Sequence, residues 1–409
     1  MRLMFLGDKI LGGTSAYSKV GDETCKRLAK IGHKIAHIPM GFANRMGIQV
    51  TQEGVQIYPS GANAFCEDVA VDDYLNFKAD MLITIKEPWV FNHICYQPIN
   101  FVPMAIIDHS PVSATITSKL NTAFKVITVS RFGQMELKRA EIDSYYIPHG
   151  VSTSIYQPYP EKKKEHRKLW YLDQDAYVIG VVAMNRSRKL ISRMLRGYKQ
   201  FRELNPDIKS QMMLWTDIMP FDMPEDPQMG VADVGVNLLP EILQLGLNEH
   251  VIWPHRDLIR HGIPEWSGEE GKWDMVKLYN CFDVLLDCTG GEGFGLPLIE
   301  AQACGVPVVT TDYAAAPEQV GAGLTVRADD YVILNTPGTK YYLANIDKMA
   351  EALIKIYNAD KEKLAKKART FALRYEWNNI IEQYWKPFLS KCEEELRPLI
   401  TKEGIKSWD

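Results

Sequence analysis

The 409-residue sequence lacks several features that would commit it early to one function class. Its seven cysteines (Cys25, Cys66, Cys95, Cys281, Cys288, Cys304 and Cys392) include no CxxC pair and sit mostly inside apolar runs. That pattern excludes a disulfide-stapled scaffold and gives no zinc spacing, so buried, reduced thiols in a cytoplasmic protein are expected. Charge of one sign is not in excess either. Lys and Arg number 47 against 51 Asp and Glu, a net of −4, so no global basic field exists to hold a nucleic acid. No apolar run reaches the roughly 18 residues that would span a bilayer, which leaves only peripheral membrane contact. The opening Met1–Asp8 has a single basic residue and too short an apolar stretch for a leader, and reads as a first strand.

What is present is ordinary for a folded soluble protein: 46% hydrophobic and 24% charged residues, with length for two or three domains. Short apolar runs alternate with amphipathic helical patterns, the mark of βαβ units and parallel sheets. Strands are predicted at 2–6, 34–38, 55–58, 81–85, 102–107, 126–129 and 145–147, with a helix over 15–31 and another over 130–140 capped by Ser130. After Pro148-His149-Gly150 the pattern breaks into a polar, charged stretch and then restarts with strands at 177–183, 212–215, 251–253, 284–287 and 307–310. The expected organisation is a first Rossmann-like domain over 1–155, a linker at 156–170, a second over 171–375, and a closing helix over 376–409. The charge run 161–168 is read as a solvated surface, and the proline-rich 219–229 as a loop.

The most informative segment is Gly290-Gly291-Glu292-Gly293-Phe294-Gly295-Leu296-Pro297-Leu298-Ile299-Glu300, continuing to Val309. A buried strand runs into a glycine-rich loop, Pro297 suits the first turn of a helix, and Gly305 and Pro307 close it. Glycines let backbone N–H groups approach a ligand, and a helix N-terminus adds four unsatisfied donors with partial positive charge. A diphosphate fits such a place without a metal. Glu300, about one turn in, suits a vicinal diol such as a ribose, whereas Glu292 could hold sugar hydroxyls or developing positive charge. Upstream, Asn185-Arg186-Ser187-Arg188-Lys189 follows a strand and puts cations at the carboxyl end of the sheet.

The spacing of Glu292 and Glu300 resembles the E-x7-E motif of retaining glycosyltransferases of the GT-B fold. The surrounding Gly290–Val309, with Leu278–Val284 before it, resembles glycosyltransferase family four, the glycosyl transferases group 1. The resemblance implies two Rossmann-like doubly wound parallel-sheet domains facing a cleft, a nucleotide-diphosphate sugar as co-substrate, anomeric retention, and no metal or other cofactor. It also implies that Glu300 binds ribose, that Glu292 lies beside the donor sugar, and that Gly293, Phe294, Gly295 and Leu296 touch sugar and diphosphate. Lys189 and an Arg would neutralise the leaving diphosphate. Arg186 and Arg188 both compete for that Arg role, because Arg186 lies closer to Lys189 than the family spacing. On this reading Lys189→Ala should lower transfer far more than it disturbs folding.

In the first half, Gly12-Gly13 before a helix resembles the family's N-terminal glycine loop, expected to contact the diphosphate. The same stretch nearly spells a phosphate loop, but Gly13 replaces the essential Lys. His109, at the end of an apolar strand, matches a His that contacts the sugar, while His149 in Pro148-His149-Gly150 is read as structural. Asp173-Gln174-Asp175 satisfies a D-x-D pattern but sits in a polar turn, far from both glutamates, and is read as turn chemistry. Two other functions remain compatible with a sugar-nucleotide site: an epimerase on a related fold, and a non-catalytic binding protein. The acceptor, whether sugar, lipid-linked, protein or small molecule, is not defined by these residues.

Overall fold

The computed structural model describes residues 1–41, 47–220, 235–334 and 339–402. They group into two units, one of Met1–Ile107, Pro111–Gly150 and the chain from Trp377 onward, the other of Asp108–Ser110 and Val151–Glu376.

The first unit is built on strands β1 (Arg2–Gly7), β2 (Lys34–Pro39), β3 (Gln49–Val50), β4 (Gln56–Ile57), β5 (Met81–Ile85), β6 (Phe101–Ala105), β7 (Ile127–Thr128) and β8 (Tyr145–Tyr146). Their order is β3-β4-β2-β1-β5-β6-β7-β8, and every pair is parallel except β3 with β4. The central strands are buried on both faces, which is why Met4, Leu6, Leu82 and Ile83 read as continuous apolar runs. The helix after β1 spans Ala16–Lys30. Ser15 caps it by accepting from the Ser18 N–H at 3.0 Å, and Val20, Thr24 and Leu28 face the core. Ile31, the last residue of the predicted 15–31 span, lies just past the helix end and is 38% exposed, because Gly32 at φ +98° turns the chain away.

The chain from Trp377 packs within this same unit: Trp385 against Phe5 at 6.2 Å between ring centroids, and Phe388 against Tyr145 at 5.0 Å. Trp377, Ile380, Ile381, Trp385 and Phe388 are buried along one stripe, but the predicted closing helix is not regular. It opens as Trp377–Ile380, widens to a π-turn over Ile381–Trp385, and resumes as Lys386–Lys402. Pro387 is the physical reason, since it has no N–H to return to the preceding turn and its ring crowds that turn's carbonyl.

The second unit has a six-stranded parallel sheet of β9 (Tyr177–Val182), β10 (Ser210–Trp215), β11 (Val251–Ile252), β12 (Val284–Asp287), β13 (Val308–Thr311) and β14 (Gly323–Val326), ordered β11-β10-β9-β12-β13-β14. Helices Ile191–Leu204 and Ile346–Tyr357 pack on one face, where Met194, Leu195, Tyr198, Met349 and Leu353 join Ile179, Val181, Leu214, Val284 and Leu286 in one core. An antiparallel hairpin of β15 (Ala328–Leu334) and β16 (Thr339–Ala344) follows β14. Neither β14 nor the hairpin is among the strands predicted above. β14 is only four residues long and half-exposed, and the hairpin strands are interrupted by charge, so neither carries much apolar periodicity.

The charge run is the expected solvated surface at Glu161, Lys162, Lys164, Glu165 and Lys168, but not throughout. Lys163–Leu169 is a helix, and His166 and Arg167 are buried. Arg167 donates to Asp283 Oδ2 at 2.6 Å, to the Cys281 carbonyl at 3.0 Å and to the Gln174 and Ala176 carbonyls at 2.8 and 3.0 Å. Lys163 reaches the other Asp283 oxygen at 2.7 Å. A guanidinium so fully partnered can be buried, whereas its sequence neighbours Lys164 and Lys168 stay exposed. The 219–229 loop lies, from residue 221, outside the described residues. All seven cysteines are buried free thiols. Among the described residues no helix is long and apolar enough to cross a membrane.

Candidate functional site

The second unit assembles most of the residues singled out above. β12 ends at Asp287, and the chain then turns through Gly290–Gly295 into the helix Leu296–Ala303. Gly295 sits just before that helix at φ +89°, where an L side chain would be strained and a Cβ would come within 2.9 Å of Leu298. Pro297 occupies the first turn, and Gly305 at φ +78° closes the far end. Gly293 and Phe294 are buried, the Phe294 ring meeting Tyr375 edge-on at 5.8 Å.

The loop is held from two sides. Its Gly290 N–H donates to the Arg188 carbonyl at 2.9 Å, and Arg188 Nη1 donates back to the Gly291 carbonyl at 3.1 Å. On the other side the Tyr342 N–H of β16 donates to the Gly290 carbonyl at 2.8 Å. A Cβ on Gly290 would lie 2.6 Å from that of Tyr341, so only glycine lets the hairpin approach. The hairpin was missed in the sequence, where its tyrosines carry no motif; the glycines it packs against were the available signal.

Glu292, Lys189 and Arg188 come together. Lys189 Nζ is paired with Glu292 Oε1, and Arg188 Nη1 lies 3.7 Å from the same oxygen. The Glu292 side chain is 7% and that of Lys189 12% exposed, so the pair is largely desolvated. Burial pushes the Glu292 carboxyl up, but the Lys189 and Arg188 charges outweigh it and hold the group below its ordinary value. Arg188 and Lys189 lie on the short turn Ser187–Lys189 that follows β9. Arg186 precedes that turn in extended conformation and is partly buried. Of the two competing arginines, Arg188 is the one placed beside Glu292.

Glu300 is buried one turn into the helix and accepts from the Tyr279 hydroxyl at 2.6 Å. Burial, together with the Glu300 charge, drives the Tyr279 phenol well above its usual range, so it remains a donor. His109 is buried; its Nδ1 bonds Asp108 Oδ1 at 2.8 Å, while its Nε2 has no hydrogen-bond partner. The Asp108 carboxyl, pushed up by burial, is brought below its ordinary value by the His109 bond and by Arg188, 4.0 Å from its other oxygen. His149 is buried, and burial lowers it to about 3, leaving a neutral ring.

Gly12 and Gly13 belong to the first unit, ahead of the Ala16–Lys30 helix. Gly12 takes φ +66°, and Gly13 is packed so closely that a Cβ would sit 2.0 Å from the Lys9 carbonyl oxygen. Asp8, at the end of β1, accepts from Ser15 Oγ at 2.7 Å and from Lys86 at 3.0 Å.

Asp173 and Asp175 are tied up locally. Asp173 accepts from the Asp175 N–H at 2.9 Å and pairs with Lys209, and Asp175 pairs with Lys164 at 2.7 Å. Among the described residues no three His, Cys, Asp or Glu side chains converge as a metal site. Two acidic residues of the site carry no motif and were not predicted: Asp108, beside His109 and Arg188, and Asp287, the last residue of β12.

Residues 259–359 match the family Glycosyl transferases group 1. The O-antigen chain mannosyltransferase B of Escherichia coli is 36% identical over 90 residues, 21% of this chain and 23% of that protein. A D-inositol 3-phosphate glycosyltransferase of Stackebrandtia nassauensis is 26% identical over 200 residues, 48% of this chain and 40% of that protein. The match thus spans less than half the length of either relative. The sucrose-phosphate synthase of Thermosynechococcus elongatus superposes with a TM-score of 0.69 at 14% identity, covering 98% of this chain and 100% of that one. Anabaena HepE, solved with UDP-glucose, gives 0.67 at 17% identity, covering 95% and 100%. At such identities the likeness is one of fold.

Proposed function

We propose, for a chain that has the GT-B fold and resembles glycosyl transferases group 1 in its second half, that it moves a sugar from a nucleotide-diphosphate sugar to an acceptor. The observation that carries this reading is the Lys189–Glu292 pair with Arg188 alongside, at the glycine loop that leads into Leu296–Ala303. Two cations and the N–H groups of the helix's first turn form an anion site, and one carboxylate within it suits the positive charge that develops on a departing sugar.

In this reading the leaving diphosphate is met by Lys189, Arg188 and the loop amides from Gly293 to Leu296, with Arg186 as a further cation. Glu300, steadied by Tyr279, takes the ribose diol. His109 offers its unpartnered Nε2 to a sugar hydroxyl, its other nitrogen being fixed by Asp108. For Gly12 and Gly13 the assignment to the diphosphate rests on resemblance alone. Transfer proceeds with retention by front-face substitution, the diphosphate accepting the acceptor's proton as the glycosidic bond to it breaks. No metal is required, since amides and cations supply the compensation, and activity should survive a chelator. The protein works in the cytoplasm, with no nucleic-acid partner.

The test is a panel of nucleotide sugars, UDP-glucose first, screened for thermal stabilisation and then for products. A ligand at a hundred times its Kd adds about 2.7 kcal/mol of stability, enough to single out the donor. Transfer to an acceptor with the donor's anomeric configuration is the expected result. Isomerised donor in the absence of acceptor would establish an epimerase, and donor binding with no product under any condition a binding protein.

A further inference from the structure

Strand β12 alternates as a buried strand should. Val284 and Leu286 enter the core between sheet and helices, which puts Leu285 and Asp287 on the opposite face. Asp287 is 1% exposed. Its backbone carbonyl is satisfied by the Thr310 hydroxyl and the Thr289 N–H, both at 2.9 Å, but neither carboxyl oxygen has a hydrogen-bond partner. An ionised carboxylate buried with no donor at either oxygen is among the most costly arrangements a protein can hold, and the ordinary escape is to keep the proton. The groups that act on it are Glu292 on the loop and Lys189 and Arg188 on the turn after β9. It acts in turn on Tyr279 and on its neighbour Cys288, both of which stay protonated.

We propose that Asp287 is a positioning residue of the anion site, carried as a neutral carboxylic acid so that only Glu292 and Asp108 oppose Lys189 and Arg188 and the cluster carries no net negative charge against a nucleoside diphosphate. Ionised, Asp287 would set a third carboxylate, beside Glu292 and Asp108, against the two cations and repel the diphosphate. Anion affinity is therefore coupled to one buried proton, which a bound diphosphate holds in place. Burial foremost, and then the Glu292 charge, raise the Asp287 carboxyl to about 7, against the opposing pull of Lys189 and Arg188, so the switch falls within the physiological range. The inference deepens the donor-site reading above and rests on it.

UDP is the probe, titrated calorimetrically from pH 6 to 8.5 into the wild type and Asp287→Asn. Wild-type affinity should weaken by roughly fivefold to tenfold more than that of the variant, whose amide cannot ionise. The terminal phosphate of UDP ionises in the same window but gives both proteins the same slope. Superimposable profiles would overturn the inference and leave the donor site standing. Failure of UDP to bind either protein at any pH would overturn both. Should Asp287→Asn not fold, infrared spectra of the wild type decide: a protonated-carboxyl band that vanishes as pH rises through about 7 supports the proposal, and its absence at pH 6 refutes it.

Discussion

The Tyr279 hydroxyl donates to Glu300 Oε2 at 2.6 Å, joining the helix before β12 to the helix after it across 21 residues of chain. Both side chains are buried, so this bond fixes the carboxylate's rotamer at the position proposed for the ribose. Removing it by Tyr279→Phe leaves the ring's packing intact but takes a donor from a buried charged acceptor. The expected loss is about 1.5–3 kcal/mol of stability in denaturant unfolding. UDP affinity should fall in parallel by roughly three- to tenfold, because the carboxylate is no longer held for the diol.

Lys189→Ala tests the other carboxylate, and the structure changes what to expect of it. Lys189 and Glu292 form a largely buried pair, and after the substitution Arg188, at 3.7 Å, is left to oppose the Glu292 charge. Folding should therefore be disturbed too, by about 3 kcal/mol, a larger share of the effect than the sequence alone leads us to expect. The double variant Lys189→Met with Glu292→Leu should recover most of that stability while turnover stays down by roughly a hundredfold. Unfolding curves beside initial rates separate the two effects.

Much of this site was legible because glycine, proline and E-x7-E spacing are local signals. The strand 284–287, the turn made possible by Gly295 and the helix stop at Gly305 follow from residues within twenty positions of one another. What escaped depends on distant partners. Arg167 is buried only because Asp283 lies 116 residues away in the chain, and nothing in Lys163–Lys168 distinguishes it from its exposed neighbours. Asp287 ends an apolar strand, and its isolation shows only when every surrounding donor is located. Spacing leaves Arg186 against Arg188 unsettled, and the two bonds that Arg188 exchanges with the glycine loop, one from its backbone and one from its side chain, put it beside Glu292.

The Arg167–Asp283–Lys163 cluster has a pH signature. Burial pushes the Asp283 carboxyl up, but Lys163 and Arg167 overcome this and hold it below its usual value. A depressed carboxyl contributes stability that is present above its unfolded value and lost as pH falls through the folded one, so the contribution is complete at neutral pH and begins to be lost only as pH falls below about 4. Arg167→Met should cost about 3–5 kcal/mol at pH 7, where Asp283 is left buried and underpaired. At pH 4 the cost should shrink, since the variant's Asp283 can protonate. Urea unfolding at the two pH values measures the difference; an equal loss at both would show that Arg167 acts through its carbonyl bonds alone.

Gly12 and Gly13 are adjacent, yet for opposite reasons they should respond very differently to alanine. Gly12 has open space around its missing Cβ and differs from other residues only in its φ of +66°. Gly12→Ala should therefore cost about 1 kcal/mol, the ordinary penalty of the left-handed region. Gly13 has no positive φ, but its Cβ would lie 2.0 Å from the Lys9 carbonyl oxygen and 2.3 Å from Ser18 Oγ. Ser18 is buried in the first turn of the Ala16–Lys30 helix and shares the Ser15 cap at 2.9 Å, so it cannot yield without unseating the helix start. Gly13→Ala should cost several times as much as Gly12→Ala, with the difference read directly from thermal unfolding of the two variants. Equal losses would mean that the loop relaxes as a unit, and that close packing is not why glycine stands at position 13.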